Sequence, residues 1–349
     1  MKIILPPKNP SITYGFVRGR QLEGTFPGEP GTGVWPITGE RIAFGWGMPP
    51  DDAWPRGSQW PPREPAKVDA EAKRYRMGRY QRVRTLDECR TVMGSERPLP
   101  VLVSLDITER WGNPPNGKIP ALRRGDVFVG SHSVLLVGYD DSKSQLTFQN
   151  SWGVDWGDKG FGYIDYSTFE TTWCEGWVSD FIGSRDDSPK EPPGFKRGSW
   201  GLREFGGGMF HCREFIDPSD ERIGWLFAIE RSGGIEVEEW FVRPTFRRKG
   251  YGKRLIRLAL ELAKTKGLPL KFWISHADTN PSNLQIVETL VHPLGLEIVD
   301  SFEPWAPFTI EAGPGKGASR RSASTLIMPS LPGLPSQLFF KSARRELRF

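Results

Sequence analysis

Two polar side chains in the middle of the chain have the types and spacing of a catalytic pair. His132 begins the apolar segment HSVLLVGY, and Asn150 ends the next apolar segment, LTFQN. An imidazole can take a proton from a thiol while an amide orients the ring, so such a pair serves a cysteine nucleophile. The cysteines, Cys89, Cys174 and Cys212, are widely spaced and form no CxxC pair, so neither a disulfide framework nor a metal site is predicted.

The stretch around this pair resembles the C-terminal half of the papain-like (C1-type) cysteine peptidases. In that family a GHAVLLVGY strand carries the histidine and an NSWG..WG..GY segment carries the asparagine. His132 and Asn150 take those positions here, and Trp152 and Trp156 match the accompanying tryptophans. The resemblance extends more loosely over residues 10–183 and implies a papain-like fold with a cleft for an extended peptide.

The cysteine that this pair would serve is missing from its place. The family's nucleophile lies in a Q-x-x-x-x-x-C-W stretch that opens a long apolar helix. Here Gln21 is followed by Pro27 and by GEPGTGVWP, a sequence that disfavours such a helix. Cys89 precedes the central strand and Cys174 follows Asn150, so neither takes the nucleophile's position. We predict a domain without peptidase activity; the alternative is a peptidase completed by an upstream segment or a partner chain.

A second group of residues has the pattern of a phosphate-binding turn. Arg247, Gly250 and Gly252 form R-x-x-G-x-G between a predicted strand at Ile235–Val242 and a predicted basic amphipathic helix at Tyr251–Lys266. Glycines let backbone N–H groups approach a phosphate closely, and a helix N-terminus adds unpaired donors and partial positive charge. DNA binding by the same cations would leave the glycines unexplained.

This turn resembles the acetyl-CoA loop of GNAT-type N-acetyltransferases, V-x-P-x-[FY]-[RQ]-x-x-G-x-G. The matching residues are Val242, Pro244, Phe246, Arg247, Gly250 and Gly252. The resemblance implies acetyl-CoA, or another acyl-CoA, as cofactor. It implies as cofactor-binding residues Phe241 and Val242 for the pantetheine arm, and Arg247, Arg248, Lys249, Gly250, Tyr251, Gly252 and Lys253 around the pyrophosphate.

Acidic residues precede the turn and supply candidates for a catalytic base. Amine acetylation needs a group that takes a proton from the acceptor ammonium. We predict Glu236 and Glu238, which strand alternation places on one face; the alternative is that these residues and Glu239 are exposed strand charges. By the resemblance, Leu290 stands where the family has a tyrosine that donates a proton to the leaving thiolate. His292 is a candidate to replace that donor; the alternative is that it is a structural histidine.

The chain is predicted to have two domains, because 349 residues exceed the usual size of one core. The predicted fold class is α+β / α/β, with a papain-like domain at 1–184, a linker at 185–199, a GNAT-type mixed β-sheet domain flanked by helices at 200–312, and a basic Pro/Gly/Ser-rich tail at 313–349. Regular structure is expected to be sparse in residues 1–65, where proline and glycine are frequent.

The regular elements follow from hydrophobic periodicity. Helices are predicted at 66–77, 85–93, 251–266 and 281–290, and strands at 99–107, 127–139, 145–150, 160–166, 209–215, 222–230, 235–242 and 271–275. Most GNAT domains have two helices before the first hairpin, and these cover the acceptor amine. Only residues 200–208 are available for them here, so the acceptor side is expected to be open unless another domain closes it.

Composition limits the remaining function classes. The net charge of +5 is modest, no run of 18 apolar residues occurs, and the N-terminal apolar stretch is too short for a signal peptide. A cytoplasmic protein without a membrane or nucleic-acid partner is expected. The predicted function is an acetyl-CoA-dependent N-acyltransferase whose papain-like domain helps to recognise a peptide or protein acceptor; the alternative outside enzymology is a non-catalytic CoA-binding scaffold.

Overall fold

The computed structural model of the chain describes residues 9–27, 33–55, 65–96, 98–112, 114–180, 196–201, 209–216, 221–231, 233–274, 297–298 and 308–312. The predicted helix at 281–290, the tail at 313–349 and residues 185–195 of the predicted linker lie outside this part of the chain. Residues 196–199, also assigned to the linker, lie in a strand.

The helices and strands, in chain order, have the following bounds. The helices are α1 (Ile12–Leu22), α2 (Pro36–Gly45), α3 (Pro65–Lys73), α4 (Leu86–Met93), α5 (Tyr166–Thr172) and α6 (Tyr251–Lys266). The strands are β1 (Arg79–Val83), β2 (Val101–Thr108), β3 (Phe128–Asp140), β4 (Gln145–Gln149), β5 (Phe161–Asp165), β6 (Trp173–Asp180), β7 (Lys196–Gly201), β8 (Met209–Ile216), β9 (Arg222–Arg231), β10 (Gly234–Val242), β11 (Leu270–Ile274), β12 (Glu297–Ile298) and β13 (Phe308–Ala312).

The contacts divide the chain into two compact units. The first is built from residues within Met1–Gln81 and Ser179–Ala318, and the second from residues within Arg82–Val178. The sequence-based boundary after residue 184 stays a prediction. In the structure, however, the helices that precede Arg82 belong to the same compact unit as the C-terminal sheet.

The first unit contains a seven-stranded mixed sheet in the order β12-β13-β11-β10-β9-β8-β7. Strands β10 and β11 are parallel, whereas β9 pairs antiparallel with both β8 and β10. Helix α6 covers one face of this sheet with residues spaced three or four apart, among them Leu255, Ala259 and Ala263. This helix has the bounds that the sequence predicts, and its layer confirms the expected mixed sheet flanked by helices.

Helix α2 covers the other face of the same sheet. Nine of its ten residues are buried, and the Phe44 ring lies 5.0 Å from the rings of both Trp225 and Phe227 and 5.7 Å from that of Tyr80. The Trp225 indole donates a 2.8 Å hydrogen bond to the Tyr80 hydroxyl. The expectation of sparse regular structure in residues 1–65 is therefore wrong, because tertiary contacts stabilise a helix that has little intrinsic propensity.

A six-stranded sheet in the order β1-β6-β2-β3-β4-β5 has most of its residues in the second unit, although Arg79–Gln81 of β1 are grouped with the first. Its central strand β2 buries Val101, Val103 and Leu105 in alternation and pairs antiparallel with β3 and β6. The register places Leu105 of β2 opposite His132 of β3. Strand β4 pairs Gln149 with Leu135 of β3, so the next residue, Asn150, comes alongside the part of β3 that contains His132.

Among the described helices, none has both the length and the apolar composition needed to cross a bilayer.

Candidate functional site

The predicted phosphate-binding residues come together in one turn between β10 and α6. A 3-10 turn at Pro244–Phe246 leads into Arg248 and Gly250, which have positive φ angles of 62° and 82°. Gly250 is the N-cap of α6, and a Cβ atom added to it would have open space around it. The backbone conformation therefore favours glycine at this position, and the space beside it stays available for a ligand.

The backbone donors of this turn point to an anion. The first N–H group to bond back into the helix is that of Arg254, which donates to the Gly250 carbonyl at 3.1 Å. The four preceding N–H groups, from Gly250 to Lys253, have no partner within the helix, and the helix dipole adds positive charge at the same end. A diphosphate fits this donor set, as the sequence predicts for an acyl-CoA.

The other residues of the motif have structural contacts. Gly252 lies so close to the Trp240 indole that an added Cβ would be 3.2 Å from its ring, so this glycine allows α6 to approach β10. The Arg247 side chain donates a 3.1 Å hydrogen bond to the Val242 carbonyl, which ties the turn to the end of the strand. Lys249 lies over the Phe246 ring at 5.1 Å.

Strands β10 and β11 separate next to this turn. Their parallel pairing extends from Ile235 with Leu270 to Val237 with Phe272, whereas β10 continues to Val242. The separation begins at a β-bulge, where the register of β10 against β9 shifts between Val237 and Glu239. The edge of β10 beyond the bulge contains Phe241 and Val242, the residues predicted to contact a pantetheine arm.

The predicted catalytic carboxylates lie at this bulge and are buried. Glu236, Glu238 and Glu239 have exposed fractions of 9%, 3% and 3%, so the alternative that they are exposed strand charges is wrong. Glu236 forms an ion pair with Arg231 at 3.3 Å. Strict alternation does not hold here either, because Val237 pairs with Ala228 and Glu239 with the next residue, Phe227, which leaves Glu238 as the extra residue of the bulge. The role of these carboxylates as a base stays a prediction.

Sequence reasoning missed a residue that contacts this strand from 198 positions away. Arg41 of α2 forms two hydrogen bonds with the Glu239 carboxylate, Nη2 to Oε1 at 2.9 Å and Nε to Oε2 at 3.2 Å. Neither residue belongs to a motif, so no local signal could have identified the pair. Leu290 and His292, the residues considered for the proton donor, lie outside the described residues.

In the second unit the predicted histidine and asparagine are in contact. His132 Nε2 and Asn150 Oδ1 are 2.8 Å apart, and since an amide oxygen only accepts, the imidazole donates through Nε2–H. The Trp152 indole stacks on the imidazole with ring centroids 4.6 Å apart. Burial lowers the pKa of His132, although the bond to Asn150 opposes this effect. Near neutral pH the ring is uncharged, with Nδ1 available to accept a hydrogen bond.

The cysteines of this unit have environments that disfavour a thiolate. Cys174 Sγ lies 3.3 Å from Asp106 Oδ1 and 3.8 Å from Ser131 Oγ, and burial together with the Asp106 charge raises its pKa to about 12. Ser131 and His132 are consecutive in β3 and so face opposite sides of the sheet. Cys174 is thus on the side opposite the imidazole. Cys89 is buried, and burial raises its pKa to about 12.

Comparisons with known proteins support both halves of the sequence interpretation. The model for the papain family of cysteine proteases matches residues 66–176, and the model for the acetyltransferase (GNAT) family matches residues 171–288.

The individual proteins that resemble this chain have low sequence identity to it and match only part of it. A cysteine protease of Blomia tropicalis is 29% identical over 101 residues, which are 28% of this chain, and the chain covers only 30% of the length of that relative. Xylellain, a cysteine protease from Xylella fastidiosa, is 25% identical, with 50% of this chain and 71% of that chain covered and a TM-score of 0.42. PaiA N-acetyltransferase from Thermoplasma acidophilum, solved with coenzyme A, is 16% identical, with 30% and 60% covered and a TM-score of 0.25.

The two family matches follow one another in the predicted order, overlap only at residues 171–176, and contain the predicted motifs. The chain therefore combines a papain-like domain with a GNAT-type acetyltransferase domain in one two-domain α+β protein.

Proposed function

We propose that the protein is an acyl-CoA-dependent N-acyltransferase that uses acetyl-CoA as donor. We further propose that its papain-like domain has no peptidase activity and helps to recognise a peptide or protein acceptor.

The observation that carries the proposal is the turn at the start of α6. Gly250 at φ 82° leaves open space beside the N–H groups of the first helical turn. These groups would hold the pyrophosphate, with Arg248, Lys249 and Lys253 contributing positive charge. The edge of β10 at Phe241 and Val242 would hold the pantetheine arm. Acetyl-CoA, when bound, supplies an acyl group activated as a thioester.

The acidic part of β10 supplies candidates for the proton acceptor. A carboxylate takes the proton from an ammonium directly or through one water molecule, so that the free amine can attack. Glu236 and Glu238 are buried beside the point where β10 leaves β11.

A non-catalytic CoA-binding protein is the second candidate. The sequence feature that favours it is Leu290 in place of the family's proton-donating tyrosine. Binding of CoA without acetylation of any protein in the cells that contain it would support this candidate over the enzyme.

The acceptor role of the papain-like domain is supported by its retained but unused pair. His132 and Asn150 keep a 2.8 Å contact beneath Trp152, although the thiol of Cys174 is on the other side of the sheet. A neutral imidazole with an accepting Nδ1, next to a half-exposed indole, can bind a peptide without cleaving it.

Calorimetric titration with acetyl-CoA tests the cofactor assignment. Gly250→Glu should abolish measurable binding, because the side chain enters the open space and its charge opposes the pyrophosphate. Gly267→Glu is the matched control. Gly267 also has a positive φ, 65°, and open space around it, but it lies at the other end of α6. Equal affinities of the two variants would refute the assignment.

A further inference from the structure

Helix α2 contacts the sheet of the first unit at the β10 bulge. Arg41 projects from α2 to Glu239, the residue directly after the shift in register. Both side chains are almost fully buried, with 8% and 2% exposed. The Arg41 guanidinium also lies 4.9 Å from the Phe241 ring centroid. One cation from α2 thus contacts two residues of β10, both in the part of β10 that is no longer paired with β11.

This contact has the geometry of a strong clamp. Two parallel N–H donors bind both carboxylate oxygens, an arrangement that fixes orientation as well as distance. Removal of one member of a buried ion pair is strongly destabilising. The two hydrogen bonds therefore tie the position of Glu239, and with it the bulge, to α2.

The same helix is anchored to the sheet by two further arginines at its C-terminal end. Arg222 donates to the Phe44 carbonyl at 2.6 Å, and Arg243 donates to the Gly45 carbonyl at 2.6 Å. Carbonyl groups at this end lack intrahelical partners and attract cations. Arg222 and Arg243 fix α2 to the sheet without contacting the bulge. Arg41 differs from them because it binds Glu239, a residue of the bulge.

We propose that Arg41 is a positioning residue for the acyl-pantetheine arm. It holds the bulge of β10 at Glu239 and so keeps the strand apart from β11 beyond Val237, which leaves the backbone edge at Phe241 and Val242 accessible. The inference rests on the proposed function, since it concerns the same cofactor. It adds that the proposed acyltransferase site depends on a helix from the N-terminal part of the first unit, residues 1–81.

The test compares two ligands that share their phosphates. CoA contains the pantetheine arm, whereas 3′-phospho-ADP contains only the nucleotide part that the α6 N-terminus would bind. In calorimetry, Arg41→Met should raise the Kd for CoA by about tenfold or more and leave the Kd for 3′-phospho-ADP within about twofold. Arg41→Lys, which keeps the charge but not the two-donor geometry, should give a smaller change in the same direction.

Controls separate this role from a purely structural one. Arg222→Met removes a comparably placed arginine of the same helix contact and should lower the melting temperature without changing the ratio of the two Kd values. The double variant Arg41→Met with Glu239→Leu removes the buried charge imbalance, so its stability should recover while its affinity for CoA stays low. Arg41→Lys provides the measurement should Arg41→Met not fold.

The outcomes separate the inference from the function on which it rests. The positioning role would be overturned if the Arg41 variants lost affinity for CoA and for 3′-phospho-ADP to the same extent, or if their affinity for CoA did not change. The cofactor assignment would stand in either case. A wild-type protein that binds neither ligand would overturn both. Recovery of CoA affinity in the double variant would also overturn the role, because the clamp would then serve stability alone.

Discussion

The contribution of α2 to the stability of the first unit can be measured by removing the phenyl ring of Phe44. Phe44 is fully buried, with its ring 5.0 Å from two aromatic rings of β9 and 5.7 Å from that of Tyr80. Truncation of a buried phenylalanine to alanine costs about 3–5 kcal/mol. At about 2–4 °C per kcal/mol for a unit of this size, Phe44→Ala should lower the Tm of the first unit by roughly 6–20 °C.

Differential scanning calorimetry measures the shift, and hydrogen exchange of the β9 and β10 amides assigns it to the sheet. The matched control is Phe16→Ala, since Phe16 of α1 is 43% exposed and its removal should change stability by no more than about 0.5 kcal/mol. If Phe44→Ala melted like Phe16→Ala, with unchanged protection of β9 and β10, the assignment of α2 to the core of this sheet would be wrong.

Three further predictions concern the papain-like domain. Because burial lowers the pKa of His132, the unfolded chain takes up a proton near pH 6.5 before the folded chain does, so stability is full above that pH and falls as the pH drops below it. His132→Gln should reduce the difference between urea midpoints at pH 7.5 and pH 5.5, and an unchanged difference would contradict the assignment. Cys174, whose pKa is raised to about 12, should react with iodoacetamide at pH 8 at least about a hundredfold more slowly than glutathione; rapid labelling that His132→Ala abolishes would instead indicate an active thiol. Trp152→Ala should reduce acetylation of cellular proteins, measured by mass spectrometry, and leave acetyl-CoA affinity unchanged, whereas Phe161→Ala should change neither; an unchanged acetylation pattern in Trp152→Ala would remove this domain from acceptor recognition.

The sequence predicts those parts of the molecule in which local pattern and global fold agree. Helix α6 has an apolar face at helical spacing and a glycine with positive φ at each end, so its bounds follow from the sequence. The contact of His132 with Asn150 follows in the same way. A short hairpin between two apolar strands brings the first half of β3, which contains His132, alongside the end of β4, which Asn150 follows.

The parts that sequence reasoning missed depend on distant contacts. PITGERIAFG, the sequence of α2, begins with proline, contains glycine and lacks a polar face. Nine of its ten residues are buried, so tertiary contacts around the whole helix stabilise it. An amphipathic pattern is therefore not needed. The bulge at Glu238 is equally invisible to a rule of alternation, since it becomes apparent only when β10 is paired with β9.

The position of α2 changes how the two halves of the chain are connected. A single linker near residues 185–199 would let the papain-like domain diffuse on one tether, with an effective concentration set by linker length. In the structure, however, the first unit takes residues from both sides of residues 82–178, so the chain passes between the units twice, near residues 81 and 178. A segment attached at both ends has fewer accessible conformations than one attached at a single end. Residues 200–312 alone would therefore lack Phe44 and Arg41 and would expose the face formed by Trp225 and Phe227. The smallest part of the chain that retains the proposed cofactor site therefore includes α2.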